Sequence, residues 1–147
     1  MYQRILVPVD GSELTDRAIR ASVDLARQLG AAITGFVAEP VLRSPTGLRN
    51  ASRIDPDTDE QDAMTPAHAR RVLSKFEACA RAAGVPFDGC CEQVSRVDRA
   101  IIEAAESHGC DMIVMVTHGR GAFGEFLFGS QTKAVLAGSK LPLLVLH

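Results

Sequence analysis

The chain has 147 residues, a length that fits one domain with a sizeable core, and we expect that domain to span residues 1–147. Its 46% hydrophobic and 23% charged residues are ordinary for a globular protein, and a net charge of −2 with scattered basic residues argues against a nucleic-acid partner. No apolar run approaches the roughly 20 residues of a membrane helix. The start, MYQRILVPVD, lacks the pattern of a signal peptide, so we expect a cytoplasmic protein without membrane contact.

The four cysteines predict no metal site and no disulfide framework. Cys90 and Cys91 are adjacent, Cys79 and Cys110 stand apart, and no C-x-x-C pair or matching histidine spacing accompanies them. We therefore expect reduced thiols, as in most cytoplasmic proteins.

Short apolar runs alternate with helical stripes along the chain. The stripe of the first helix is predicted as Leu14, Ala18, Ala21, Leu25 and Leu29, and that of the third as Val97, Ile101, Ala104 and His108. Strands are predicted at about 5–9, 32–38, 87–93, 112–117 and 143–146, and helices at about 14–29, 66–83, 97–108 and 130–137. Asp10-Gly11-Ser12 is predicted to form a turn with Ser12 as the N-cap of the first helix, and Thr65-Pro66 opens the second. The alternating order predicts a five-stranded parallel sheet with helices on both faces, whose ligand site lies at the carboxyl ends of the strands.

The segment 39–65 interrupts this alternation with three prolines and an acidic cluster. We expect a long, mobile, solvated loop. A calcium loop is the weaker alternative, because Pro66 stands where the bidentate glutamate belongs.

The glycine-rich stretch THGRGAFGEFLFGS covers residues 117–130. Its G-x-G-x-x-G follows the fourth strand rather than the first, and no acid follows Glu125, so a dinucleotide fingerprint is excluded. A Walker A loop is excluded as well, because Glu125 and Phe126 replace its Lys-Ser/Thr. A helix that starts at Gly129-Ser130 could still bind a phosphate at its N-terminus, aided by Arg120, while Asp10 accepts hydrogen bonds from ribose hydroxyls.

Four stretches of the sequence resemble the universal stress proteins of the small single-domain kind. They are RILVPVDGS at 4–12, the A-x-x-A-x-x-x-L-A-R pattern at 18–27, DMIVMVTHGRG at 111–121 and GSQTKAVL at 129–136. The resemblance implies a Rossmann-like sheet, similar to the adenine nucleotide alpha hydrolases, with strand order 3-2-1-4-5. It also implies that Pro8 ends the first strand.

The resemblance further implies ATP or a related adenine nucleotide as the ligand, which could carry Mg²⁺ with it. ATP-binding members share G-x-x-G-x9-G-[S/T], whose last part is present as Gly119, Gly129 and Ser130, whereas Val116 replaces the first glycine. That valine either crowds the site or points into the core. The nucleotide-binding set implied by the resemblance is Pro8, Asp10, Val37, Val116, His118, Gly119, Arg120, Gly129, Ser130 and Gln131.

No catalytic residue and no metal ligand is predicted. The chain is therefore expected to act in a stress response as a nucleotide-dependent regulator, with a slow ATPase as a minor alternative. The main alternative is a member that binds no nucleotide and acts through protein contacts. The apolar run Leu143–Leu146 is expected at the sheet edge, where it would pair with a second copy to form a homodimer.

Overall fold

The structure, a computed structural model, describes residues 1–12, 14–40, 65–117 and 128–147. Strands and helices alternate along these ranges in the predicted order. They are β1 (Arg4–Pro8), α1 (Thr15–Leu29), β2 (Ala32–Pro40), α2 (Pro66–Ala82), β3 (Phe87–Val94), α3 (Val97–Ser107), β4 (Met112–Val116), α4 (Phe128–Gly138) and β5 (Leu143–Leu146). Most of the predicted loop at 39–65 lies outside the described residues.

The five strands form one parallel sheet in the order β3-β2-β1-β4-β5, as predicted. β1 lies in the centre and pairs with β2 on one side and β4 on the other. Its residues Ile5, Leu6 and Val7 are fully buried, which explains why the strand is apolar without alternation. Pro8 is the last residue of β1, where proline is tolerated because the ladder is ending.

The helices cover both faces of the sheet. Residues of α1 and α2 join one buried cluster with Ile5, Val7 and Val114. Residues of α3 and α4 join a second cluster with Leu6 and Ile113 on the opposite face. Side chains alternate between these clusters along β1 and β4, because successive residues of a strand point to opposite faces.

The buried face of α1 differs from the predicted stripe. Ile19, Val23 and Ala26 are buried, whereas Leu25 and Leu29 are only partly buried and pack at the margin of the cluster. The predicted stripe included the larger leucines, whereas the residues that α1 packs against the sheet are smaller or β-branched.

The predicted N-cap at Ser12 is wrong. The N-cap position of α1 is Leu14, which makes no side-chain capping bond. Two tight turns separate strand from helix: the Ser12 N–H donates to Asp10 Oδ1 at 2.9 Å, and the Thr15 N–H donates to the Ser12 carbonyl at 3.0 Å. Gly11 has a φ of 75°, the left-handed conformation that glycine adopts without strain. The helix therefore begins three residues after Ser12.

β2 is longer than predicted and continues to Pro40. It does so because its pairing with β3 extends to Pro40 opposite Val94. The longer strand carries Glu39, a carboxylate only 6% exposed, past the predicted end of β2.

The close approach of α2 to the sheet depends on Gly35. A Cβ at this position would lie 2.7 Å from Phe87 Cζ and 3.1 Å from Phe76 Cδ1, two rings already packed with centroids 4.9 Å apart. We expect Gly35→Ala to lower the free energy of unfolding by about 1–3 kcal/mol, because the rings must move from a filled space. Urea denaturation measures this change.

Gly89→Ala is the matched control. Gly89 is the register partner of Gly35 on β3, and its added Cβ would meet no atom closer than 3.4 Å, an ordinary contact. We expect its effect to stay within about 0.5 kcal/mol, as for substitutions away from tight packing. Equal losses in the two variants would contradict this account of the packing.

Candidate functional site

The strand order reverses between β1 and β4, because the chain leaves β1 toward β2 and leaves β4 toward β5 on the other side. A crevice forms at the carboxyl ends of two strands whose connections diverge in this way. Here it contains a cavity of about 400 Å³. That volume lies within the range of small-molecule and cofactor sites.

One wall of the cavity is apolar. It comes from the end of β2, the first turns of α3 and the end of β4, and its residues are Phe36, Ala38, Val97, Ile101 and Met115. Phe36 and Ile101 are almost completely buried, so the wall is held firmly by the core beneath it. Such a surface suits a flat apolar ring better than a charged group.

The opposite side carries the polar turn between β1 and α1. Asp10, Ser12 and Thr15 line the cavity there. Asp10 is exposed, and its Oδ1 accepts the Ser12 N–H, which fixes the carboxylate at the rim. Within the described ranges, the hydroxyls of Ser12 and Thr15 are buried and make no hydrogen bond. Buried hydroxyls without partners are uncommon in folded proteins and mark places where a partner is missing.

A second polar side comes from the first turn of α4. Gly129 and Ser130 lie in this turn, and Gln131 lines the cavity. The Gln131 Oε1 is also buried without a partner in the described part of the chain. The first turn of α4 holds no acidic residue, whereas that of α1 holds Asp16. N–H groups at the start of a helix carry a partial positive charge that suits an anion, and no acidic side chain within this turn offsets it.

Val116 belongs to the core as well as to the cavity wall. It is 9% exposed and joins the buried cluster on the α1 and α2 face, together with Met112 and Val114. Alternation along β4 explains this placement, because Met115 points to the other face. Of the two orientations left open by the sequence, packing in the core is the one that the structure shows.

The structure brings together four of the predicted site residues at one cavity, namely Pro8, Asp10, Val116 and Gln131. The Val37 side chain is fully buried in the core, and its neighbours Phe36 and Ala38 line the cavity. The role that the resemblance implies for Val37, in which its backbone groups bind adenine, stays a prediction. His118, Gly119 and Arg120 lie outside the described residues.

Sequence reasoning missed the apolar wall and Thr15. Val97 and Ile101 were assigned to a helix stripe, and nothing in their spacing separates a stripe that packs wholly in the core from one that also lines a cavity. Thr15 could have been found from the turn, because a helix that starts late brings the first helical side chain to the strand end. Its burial depends on packing that the sequence does not display.

The Cys90–Cys91 pair lies on the edge strand β3, away from this cavity. The Cys91 thiol donates to Glu39 Oε1 at 2.7 Å. Desolvation of the sulfur, together with the Glu39 carboxylate, raises the pKa of Cys91 to about 12, and desolvation with the Glu92 charge raises that of Cys90 to about 11. Both groups remain thiols at neutral pH, which makes them poor nucleophiles.

The helices in the described ranges include none that is long and apolar enough to cross a membrane. Among the same residues, no group of three or more His, Cys, Asp or Glu is placed to hold a metal ion.

The sequence profile of the universal stress protein family matches residues 1–147, the full length of the chain. The chain belongs to the universal stress protein family. A universal stress protein of Thermus aquaticus, from the 3′ region of the QAH/OAS sulfhydrylase gene, is 32% identical over 151 residues, which cover all of both chains.

Solved universal stress proteins share the fold at lower identity. One in complex with cAMP has a TM-score of 0.69 and 22% identity, with 99% of this chain and 97% of that chain covered. The protein from Archaeoglobus fulgidus in complex with dAMP has a TM-score of 0.63 and 20% identity, with 99% and 98% covered. These universal stress proteins share the fold of this chain over nearly its whole length.

Proposed function

We propose that this universal stress protein binds ATP or a related adenine nucleotide in the crevice between β1 and β4 and acts as a nucleotide-dependent regulator in a stress response. The observation that carries the proposal is the cavity itself. It joins an apolar wall to three buried polar atoms that make no hydrogen bond in the described chain, on Ser12, Thr15 and Gln131. An apolar pocket with a few convergent polar groups is typical of small-molecule sites.

An adenine nucleotide fits this arrangement in one orientation. The base would lie against Phe36 and Ile101, and the ribose would face Asp10. The phosphates would lie at the start of α4, beside Gly129, Ser130 and Gln131, where no acidic side chain of that turn repels them. His118, Gly119 and Arg120 would complete the phosphate end.

The ligands of two related structures support the choice of an adenine nucleotide. The universal stress proteins solved with cAMP and with dAMP share this fold over nearly the whole chain. Both ligands combine an adenine base with a sugar and a phosphate. The division of the cavity into an apolar side and a polar side matches that chemistry.

We propose that the absence of the first motif glycine leaves the site open, although Val116 lines part of the cavity. Val116 directs its side chain into the core cluster on the α1 and α2 face, so its β-branch adds to the packing. We propose that the chain binds nucleotide without that glycine. The nucleotide is a regulatory ligand here, because no residue set for in-line phosphoryl transfer was found in the sequence.

The alternative function, a member that acts through protein contacts alone, is favoured by one feature, the β5 edge. Among the strands that the structure describes, β5 pairs only with β4 and lies at the end of the sheet. All four of its residues are partly exposed although all are apolar. We propose that β5 pairs with β5 of a second copy, and this homodimer is compatible with a nucleotide in the crevice.

Calorimetric titration with ATP tests the nucleotide proposal. We expect saturable binding by the natural chain and at least tenfold weaker binding by Asp10→Ala, because a hydrogen bond to a charged group contributes about 1.5–3 kcal/mol. Asp24→Ala is the matched control, since Asp24 is an exposed carboxylate on α1 that is not among the residues lining the cavity. It should bind ATP like the natural chain.

Val116→Gly belongs in the same experiment. We expect it to leave ATP affinity within about threefold and to lower the free energy of unfolding by about 2 kcal/mol, because it empties part of the core and loosens a strand. No heat from the natural chain but saturable binding by Val116→Gly would show that the valine blocks the site. Unchanged affinity in Asp10→Ala would refute the site itself.

Sedimentation velocity with Val145→Pro tests the homodimer. The carbonyls of Pro142 and Leu146 accept the N–H groups of Ile113 in β4 and of Thr117 just after it, so the backbone groups of Val145 point to the open edge. Proline there removes an outward N–H and leaves the ladder to β4 intact. We expect the natural chain to sediment at twice the chain mass and Val145→Pro as a monomer.

Val145→Thr is the control, because threonine keeps the N–H and the β-branch, and it should remain dimeric. A monomeric natural chain, or a Val145→Pro dimer as tight as the natural one, would contradict pairing through β5.

A further inference from the structure

The two unpartnered hydroxyls beside Asp10 have no structural role in the described chain. Ser12 does not cap α1, because the N-cap position is Leu14 and makes no side-chain bond. Thr15 is 6% exposed, and its Oγ1 is fully buried without a partner in the described ranges. Both residues line the cavity.

Ser22, two turns further along α1, shows that a buried hydroxyl on this helix can be satisfied internally. Ser22 is fully buried, and its Oγ donates to the Ala18 carbonyl at 2.5 Å and to the Ile19 carbonyl at 3.1 Å. Thr15 is the first residue of α1, so the carbonyls three and four residues before it belong to the preceding turn, and its Oγ1 makes no such bond in the described chain. A buried hydroxyl that faces a cavity and forgoes such a bond is placed for a partner within the cavity.

The surroundings of the two hydroxyls restrict the chemistry of that partner. The Asp10 carboxylate is bound into the same turn through the Ser12 N–H, and Asp16 adds a second carboxylate to the first turn of α1, paired with Lys75 at 2.6 Å. A phosphate at this end would meet the negative charge of Asp10. A neutral hydroxyl group of a ligand can instead donate to Asp10 and accept from Ser12 or Thr15.

We infer that Ser12 and Thr15 are specificity-determining residues that, together with Asp10, read the hydroxyl groups of the bound sugar and favour ribose over 2′-deoxyribose. A vicinal diol offers two hydroxyls, and each can donate a hydrogen bond and accept one. A 2′-deoxy sugar leaves one protein hydroxyl buried and unpaired, and sites built to hydrogen-bond a ligand hydroxyl discriminate against analogues that lack it. This inference rests on the proposed binding of an adenine nucleotide in the same cavity.

Paired titrations with ATP and 2′-deoxyATP test the inference. We expect the natural chain to bind ATP about tenfold more tightly, the equivalent of one net hydrogen bond. Thr15→Val combined with Ser12→Ala should lose most of this preference for ATP, because only Asp10 then remains to hydrogen-bond the sugar hydroxyls. Thr15→Ser, which keeps the hydroxyl, should retain the preference for ATP.

Thermal unfolding of the ligand-free variants gives a second readout. Since the Thr15 hydroxyl has no partner, Thr15→Val should unfold at the same temperature as the natural chain or a higher one. A clear fall in the unfolding temperature of Thr15→Val would mean that this hydroxyl stabilises the fold, and that result would overturn the inference.

The outcomes separate this inference from the proposed function. Equal affinity of the natural chain for both sugars, or a preference that survives in the double variant, would overturn the inference and leave nucleotide binding in place. No binding of either nucleotide by the natural chain would overturn both.

Discussion

β1 is hydrogen-bonded to a neighbour on each side, and its three central side chains are fully buried on the two faces. Both neighbours run parallel to β1, so each connection is a crossover, and right-handed crossovers toward opposite sides of β1 place their helices on opposite faces of the sheet. The connections of β1 and β4 then diverge, and within the described residues the cavity lies at the carboxyl ends of these two strands. The cavity is a consequence of the topology that buries β1.

What lies in that space is determined locally by turns and by strand alternation. The turn from Asp10 to Thr15 delays the start of α1, so polar side chains reach the strand end. Alternation along β4 sends Val116 into one core cluster and Met115 toward the other. The same β-branched residue one position earlier or later would face the opposite side of the sheet. The residue type at position 116 therefore matters less than the face to which it points.

The sequence predicted the alternation of strands and helices, and the resemblance supplied the strand order, because apolar periods and family motifs are both local signals. The sequence did not predict the start of α1, because two successive tight turns outweighed the capping preference of Ser12. Nor did it separate Phe36 and Ala38 from Val37, since that choice depends on the face of β2 that meets α3. Of the predicted site, Asp10 and Gln131 line the cavity, whereas Thr15 emerged only from its burial.

The most direct test of the account is an NMR titration of the isotope-labelled chain with ATP, followed through the backbone amides. If the nucleotide occupies the crevice, the amides of Asp10, Ser12, Thr15 and Gln131 should shift in a saturable way. The amides of Val85, which precedes β3, and of Phe87, the first residue of β3, should stay unchanged. Both residues lie at the opposite edge of the sheet and do not line the cavity. Shifts concentrated at that opposite edge, or no saturable shift at all, would contradict the central claim.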